Sequence, residues 1–322
     1  MTGTSALDLD QLVDRLSAAD TLPQLPDVID IATGVPPNPP EDVQTKFVGL
    51  AYRDAFNEAR SFVKVADEWL TKQRGAGLES AGRVLDFGSG WGRISRMLLA
   101  HVQPTSLYAA DVDSQMTALV NTTLPGINAT TVNPLPPTML GTGAFEAALA
   151  FSVFSHLAPQ AHEAWAAEFG RVVAPGGMVF ITVLDSVFIE QIRQAKVHVA
   201  EGIAESFEAG LATLFDDIDA TAAEFAAGRP VYAPRDVDGV RTGDYYGWAA
   251  MPERYVTKVW GDAGFDIVQW VRSGVLFPQA MVGLVRRPNA SSSNNDPQPV
   301  PPGRPGMGQL ARRLKARISR RA

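Results

Sequence analysis

Val84-Leu85-Asp86-Phe87-Gly88-Ser89-Gly90-Trp91-Gly92 is the stretch on which the fold turns. Arg83–Phe87 is a short apolar run that ends in glycine punctuation, and Gly92–Val102 follows with apolar residues at helical spacing. A strand thus delivers the chain to a Gly-rich turn, where the glycines let the backbone approach a ligand closely. The helix behind the turn presents unpaired N–H groups to the same spot. Nucleotide-binding proteins share this much. Two details separate the turn from the dinucleotide fingerprint G-x-G-x-x-G, in which the third glycine lets helix pack on strand. That position is Arg93 here, and the spacing is G-x-G-x-G. Asp86 adds a carboxylate that a pyrophosphate would repel and that a ligand carrying an ammonium and a sulfonium would favour.

Outward from the turn, strand and helix alternate over residues 82–185. Ser106–Ala110, Ala129–Val132, Ala147–Ser152 and Met178–Leu184 read as strands, the last two apolar enough to be buried on both faces. Ser114–Thr122 reads as a helix, as does the segment carrying Trp165, Phe169, Val172 and Val173, which Pro175-Gly176-Gly177 is expected to stop. The alternation predicts an α/β fold around a parallel sheet with right-handed crossovers. Residues 186–250 interrupt it as an inserted helical cap, with one apolar stripe through Ile203, Phe207, Leu211, Leu214, Phe215 and Ile218. A helix at Pro252–Ala263 and strands at Phe265–Val271 and Ala280–Arg286 resume the core, the two strands as an antiparallel pair. Before the turn, residues 1–81 hold a short helix at Leu7–Leu16, a Pro-rich loop, and a helical pattern from Glu41 to Thr71. After the core, residues 288–308 form a polar linker and residues 309–322 a basic tail.

The turn and its surroundings resemble the class I S-adenosylmethionine-dependent methyltransferases, across about residues 82–185 and 252–287. The resemblance implies a Rossmann-like seven-stranded mixed sheet with an antiparallel last strand, and S-adenosylmethionine as cofactor. Its cofactor residues would be Asp86, Gly88, Ser89, Gly90 and Gly92 at the turn, and Asp111 and Val112 after the second strand. Asn133 would stand beside the adenine, and Phe151 at the end of the fourth strand. Asp111 would hold the ribose hydroxyls, because a carboxylate accepts both of their protons; Asp113 is the fallback. Gly90-Trp91-Gly92-Arg93, Pro136-Pro137, Ser152-Val153-Phe154-Ser155-His156-Leu157 and Pro278-Gln279 resemble bacterial methyltransferases encoded beside sugar and polysaccharide genes.

Two residues are candidates for the acceptor chemistry. His156 lies just past the fourth strand, at the carboxyl edge where open α/β sheets bind ligands, and its imidazole suits a general base. Its alternative is a cap or a pocket wall. Asp185, after the fifth strand, is a second base candidate or simply the cap of a helix. Asp244-Tyr245-Tyr246-Gly247-Trp248 would either stack on a ring-shaped substrate or anchor the cap to the core. His162 is expected at the surface, and four scattered histidines make no metal motif.

The acceptor expected from this reading is a sugar hydroxyl, on a small molecule or a glycan, with nitrogen and carbon acceptors as alternatives. Two rivals remain at this stage: a nicotinamide oxidoreductase, and a non-catalytic cofactor-binding module. With six of 28 basic residues in the tail, residues 1–307 hold 22 bases against 35 acids, a balance of −13, so a nucleic-acid partner is not expected. The chain has no cysteine, which excludes thiol catalysis and Cys-ligated zinc. The expected location is the cytoplasm, with the basic tail available to anionic lipid at the inner face of the membrane or to a protein partner.

Overall fold

The computed structural model describes residues 8–21 and 36–288. Most of the Pro-rich loop, nearly all of the expected linker and the whole basic tail lie outside the described residues.

Seven strands form one sheet: β1 (Val84–Phe87), β2 (Leu107–Asp111), β3 (Asn128–Thr131), β4 (Phe145–Ala150), β5 (Val173–Val183), β8 (Phe265–Val271) and β9 (Ala280–Arg286). Their order is β3-β2-β1-β4-β5-β9-β8. The first five run parallel, and β9 lies antiparallel to both β5 and β8. Alternation along the strands divides the core in two. Val84, Ala147, Leu149, Met178 and Phe180 face one layer, where α1 (Leu9–Ser17), α3 (Tyr52–Arg74), α4 (Arg93–Leu98) and α5 (Ser114–Thr123) pack. Leu85, Ala148, Ala150, Val179 and Ile181 face the other, against α6 (Pro159–Val172) and α10 (Glu253–Asp262). In α3, Ala55, Phe56, Ala59, Phe62, Val63, Ala66 and Leu70 are buried, one continuous stripe at helical spacing. Residues before the glycine turn therefore share the core of the sheet.

Three expectations need correction. The helical pattern from Glu41 to Thr71 is two helices, α2 (Glu41–Val48) and α3, because Gly49 closes α2 in a left-handed conformation at φ 75°. Pro175-Gly176-Gly177 does not stand between helix and strand. The chain passes from α6 into β5 at Val173, and the triplet lies where the register with β4 shifts. The single stripe of the cap is broken between α8 (Ser206–Ala212) and α9 (Ile218–Ala226), where Asp217 caps α9 by accepting from the Asp219 and Ala220 N–H groups. The cap opens with α7 (Ser186–Glu201) and also holds a two-stranded ribbon, β6 (Val231–Pro234) and β7 (Gly247–Ala250). Among the described residues, no helix is long and apolar enough to cross a membrane.

Candidate active site

The glycine turn leaves β1 with Gly88, Gly90 and Gly92 all at positive φ, at 70°, 49° and 84°. Two arginines of α4 fix it from behind. Arg96, 1% exposed, donates to Trp91 O at 2.6 Å and to Thr123 Oγ1 at 3.2 Å. Arg93 donates to Ala55 O at 2.9 Å and pairs with Glu58 at 2.6 Å, while Phe56 meets Trp91 edge-on, so α3 is bolted to the turn. Asp86 lies beneath the turn, 1% exposed, and accepts from Ser95 Oγ at 2.6 Å. Burial pushes its carboxyl up to about 7, against the hydrogen bonds from Ser95 and the charge of Arg93.

Asp111 meets the turn from the end of β2. Its Oδ2 accepts from Gly90 N–H at 2.8 Å and its Oδ1 from Asp113 N–H at 2.9 Å. Above it stands a residue the sequence did not single out. Arg241, on the loop between β6 and β7, lies 3.5 Å from both Asp111 and Asp113 and pairs with Asp238 at 2.8 Å. Burial raises the Asp111 carboxyl, opposed by the two backbone N–H groups and by Arg241. Val112 is half-buried between the two aspartates. Asn133 is exposed and lines, with Asn121 and Thr138, a groove of about 430 Å³ along the edge strand β3. Phe151 is half-buried between Phe62 and Phe277, with the Arg93 guanidinium 5.0 Å from its ring centre.

The turn after β4 closes over the first glycine. A Cβ built on Gly88 would lie 2.3 Å from Val153 Cγ2, whereas one on Gly90 would meet nothing within 4 Å. In that same turn His156 is held twice by Gly247 of β7. Gly247 N–H donates to His156 O at 2.9 Å, and His156 Nδ1 lies 2.8 Å from Gly247 O. A carbonyl can only accept, so Nδ1 carries the hydrogen and Nε2 keeps its lone pair. Burial, with the nearby Arg235 and Arg241, pushes the imidazole down to about 4. Position 247 must be glycine, because a Cβ there would lie 2.1 Å from Ala233 O. Tyr246 stacks on the imidazole at 5.1 Å and Trp248 flanks it at 4.9 Å, while Tyr245 is buried and bonds Val240 O at 2.7 Å. The aromatic loop thus divides its labour: Tyr245 anchors, and its neighbours wall the histidine.

Asp185 serves as a cap. Its Oδ1 accepts from Val187 N–H at 2.9 Å at the start of α7, and its Oδ2 from Ser273 N–H at 3.0 Å. His162, expected at the surface, is 0% exposed, with Nε2 accepting from Trp260 Nε1 at 3.0 Å. Ser152 and Gln279 stand in the sequence only as members of two motifs, and Thr182 in none; in the structure Ser152 has a positive φ of 57°, with Thr182 and Gln279 bonded behind it. These contacts join residues up to 127 positions apart, a separation that no local pattern conveys.

Several features of the turn suit an adenosyl sulfonium. Asp111 offers acceptor oxygens, Ser89 Oγ is buried without a hydrogen-bond partner, and open space lies over Gly90. Residues 84–177 match a family profile described as a methyltransferase domain. No curated protein matches the chain. Among solved structures, magnesium protoporphyrin IX methyltransferase from Synechocystis PCC 6803 aligns at 14% identity and TM-score 0.45, covering 76% of this chain and 93% of that one. An amino pentose methyltransferase from Micromonospora echinaspora aligns at 15% and 0.45, covering 75% and 94%. The 1,6-didemethyltoxoflavin-N1-methyltransferase of Burkholderia thailandensis aligns at 16% and 0.44, covering 81% and 94%. The profile match makes residues 84–177 a methyltransferase domain, and that stretch holds the glycine turn and the acid at the end of β2.

Proposed function

We propose that the protein transfers a methyl group from S-adenosylmethionine to an acceptor hydroxyl on a sugar or polysaccharide precursor. The observation that carries this reading is the pinned tautomer of His156, which leaves Nε2 unprotonated at the carboxyl edge of the sheet, one turn from the glycines. Asp111 would accept from the ribose hydroxyls, with Arg241 balancing its charge; the backbone of residues 88–92 and Ser89 Oγ would line the rest of the cofactor, Asn133 the adenine side and Phe151 the opposite wall. The cofactor supplies an electrophilic methyl on a sulfonium, whose bonding pair remains with sulfur as S-adenosylhomocysteine.

The chain then has two tasks: to hold the acceptor in line with that methyl, and to take a proton. His156 Nε2 would receive the hydroxyl proton as the acceptor oxygen commits its lone pair. Tyr246 and Trp248, the second itself stacked on Phe188, would hold the imidazole in place as it takes the proton. Asp185, with both oxygens engaged by backbone N–H groups, takes a positioning role at the start of the cap.

Incubation with radiolabelled methyl donor and a panel of oligosaccharides tests the reading. Label should enter saccharide as an alkali-stable ether; label confined to amine acceptors would overturn the choice of oxygen. Thermal protection by NAD but not by S-adenosylhomocysteine would remove the cofactor assignment altogether. Asp111→Ala should weaken S-adenosylhomocysteine binding by about 1–3 kcal/mol in calorimetry, the scale of charge-assisted hydrogen bonds.

A further inference from the structure

Behind His156 runs a chain of hydrogen bonds whose direction is set at every link. Thr182 Oγ1 accepts from Ser152 N–H at 2.7 Å and donates its own hydrogen to Gln279 Oε1, which can only accept, also at 2.7 Å. That orients the Gln279 amide, whose Nε2 lies 2.8 Å from Ser152 Oγ and can only donate. Ser152 Oγ is therefore an acceptor in this chain, and its hydrogen is left for His156 Nε2 at 3.5 Å or Ser155 Oγ at 3.4 Å. Both distances are long for a bond between such atoms. A donor and a lone pair thus meet in a weak contact that an incoming oxygen, roughly 2.8 Å from each, would replace.

We propose that Ser152 and His156 form an acceptor subsite selective for a hydroxyl over an amine. The inference rests on the reading of His156 as the base and extends it to the kind of acceptor admitted. An alcohol oxygen has four directions to use. One is its carbon, and its hydrogen goes to His156 Nε2. One lone pair accepts from Ser152 O–H, and the second remains for the methyl carbon. On transfer the O–H bond breaks toward Nε2, the O–C bond forms, and the S–C pair stays on sulfur. A neutral amine has a single lone pair, which cannot both accept from Ser152 and attack; an ammonium has none.

The backbone supports a dedicated role for the serine. Tyr52 and Ser152 are the non-glycine residues at positive φ among those described, and an L-residue is strained there. Glycine would relieve the strain while deleting the hydroxymethyl side chain.

Full-length Ser152→Gly and Gln279→Glu provide the test, read by ¹⁵N NMR of the His156 imidazole and by methyl transfer to the oligosaccharide panel. A hydrogen bond to Nε2 favours the neutral ring, so Ser152→Gly should raise the protonation midpoint of His156. Tyr246, Trp248, Arg235 and Arg241, which also face or influence the ring, are unchanged by it. Transfer to saccharide should fall at least tenfold, with S-adenosylhomocysteine affinity retained and melting temperature equal or higher. In Gln279→Glu the carboxylate accepts from Ser152 and turns its hydrogen away, so transfer should fall similarly. An unshifted midpoint in Ser152→Gly, or undiminished transfer by that variant, overturns the subsite. Failure of the wild type to methylate any saccharide would count against the oxygen acceptor alone, since the NMR result is read without one.

Discussion

The turn after β4 and the helix that follows it each hold a neutral histidine, His156 and His162, and the two are held in opposite ways. Both are pushed well below the ordinary imidazole range by burial, to about 4 and about 3. His162 is sealed: Trp260 donates to its Nε2, and Phe154 packs on the ring at 4.8 Å. His156 is only half-buried, spends Nδ1–H on Gly247 O, and keeps its other nitrogen toward a long contact. A displaced proton affinity is therefore common to a packing histidine and a candidate base. What separates them is a lone pair held only by a long contact.

Substitution sharpens the contrast most. His156→Gln should lower methyl transfer by about 10²–10⁴-fold, the usual contribution of a general base, with little change in thermal midpoint. His162→Ala should leave turnover per folded molecule intact yet cost about 2–4 kcal/mol in urea unfolding, through a cavity and an unpaired Trp260 N–H. If the His162 variant lost turnover while its fold held, the division of roles would break.

Acid gives a smaller effect. Below the ordinary imidazole value of 6.5 the unfolded chain takes up protons that His162 and His156 in the folded chain refuse. Stability is thus fully present above 6.5 and falls as the pH drops toward 4, by at most about 1.4 kcal/mol per pH unit for His162 and less for the part-exposed His156. Asp86 opposes this. Its folded carboxyl holds a proton up to about 7 while the unfolded one loses it near 3.8, a contribution present at low pH and lost as the pH rises. Asp86→Asn should accordingly steepen the acid loss in denaturant titrations between pH 6.5 and 4; a shallower slope would contradict the burial that sets both shifts.

Local grammar explains what could be read from the chain alone. The glycine turn follows a four-residue strand, Asp111 ends the next one, and the strands at Phe265–Val271 and Ala280–Arg286 have the bounds their apolar runs indicated. Each of these signals lies within a dozen residues. His162 was misread because Pro159 and its polar neighbours look like an exposed helix start, while the tryptophan that buries it comes from 98 positions away. Arg241 was invisible for the same reason: nothing in a cap loop announces that it will stand over an acid of β2. Ser152 carries its information in a backbone angle, which residue type does not disclose.

The contact between Gly88 and Val153 makes the site mechanically stiff in one direction. A single added methyl at position 88 would press on Val153, and Val153 O is the acceptor for His156 N–H at 2.9 Å. Close-packed interiors transmit such a push rather than absorb it. The glycine turn and the imidazole are in effect one lever, and a change as small as glycine to alanine at position 88 would be felt as a misplaced ring at position 156.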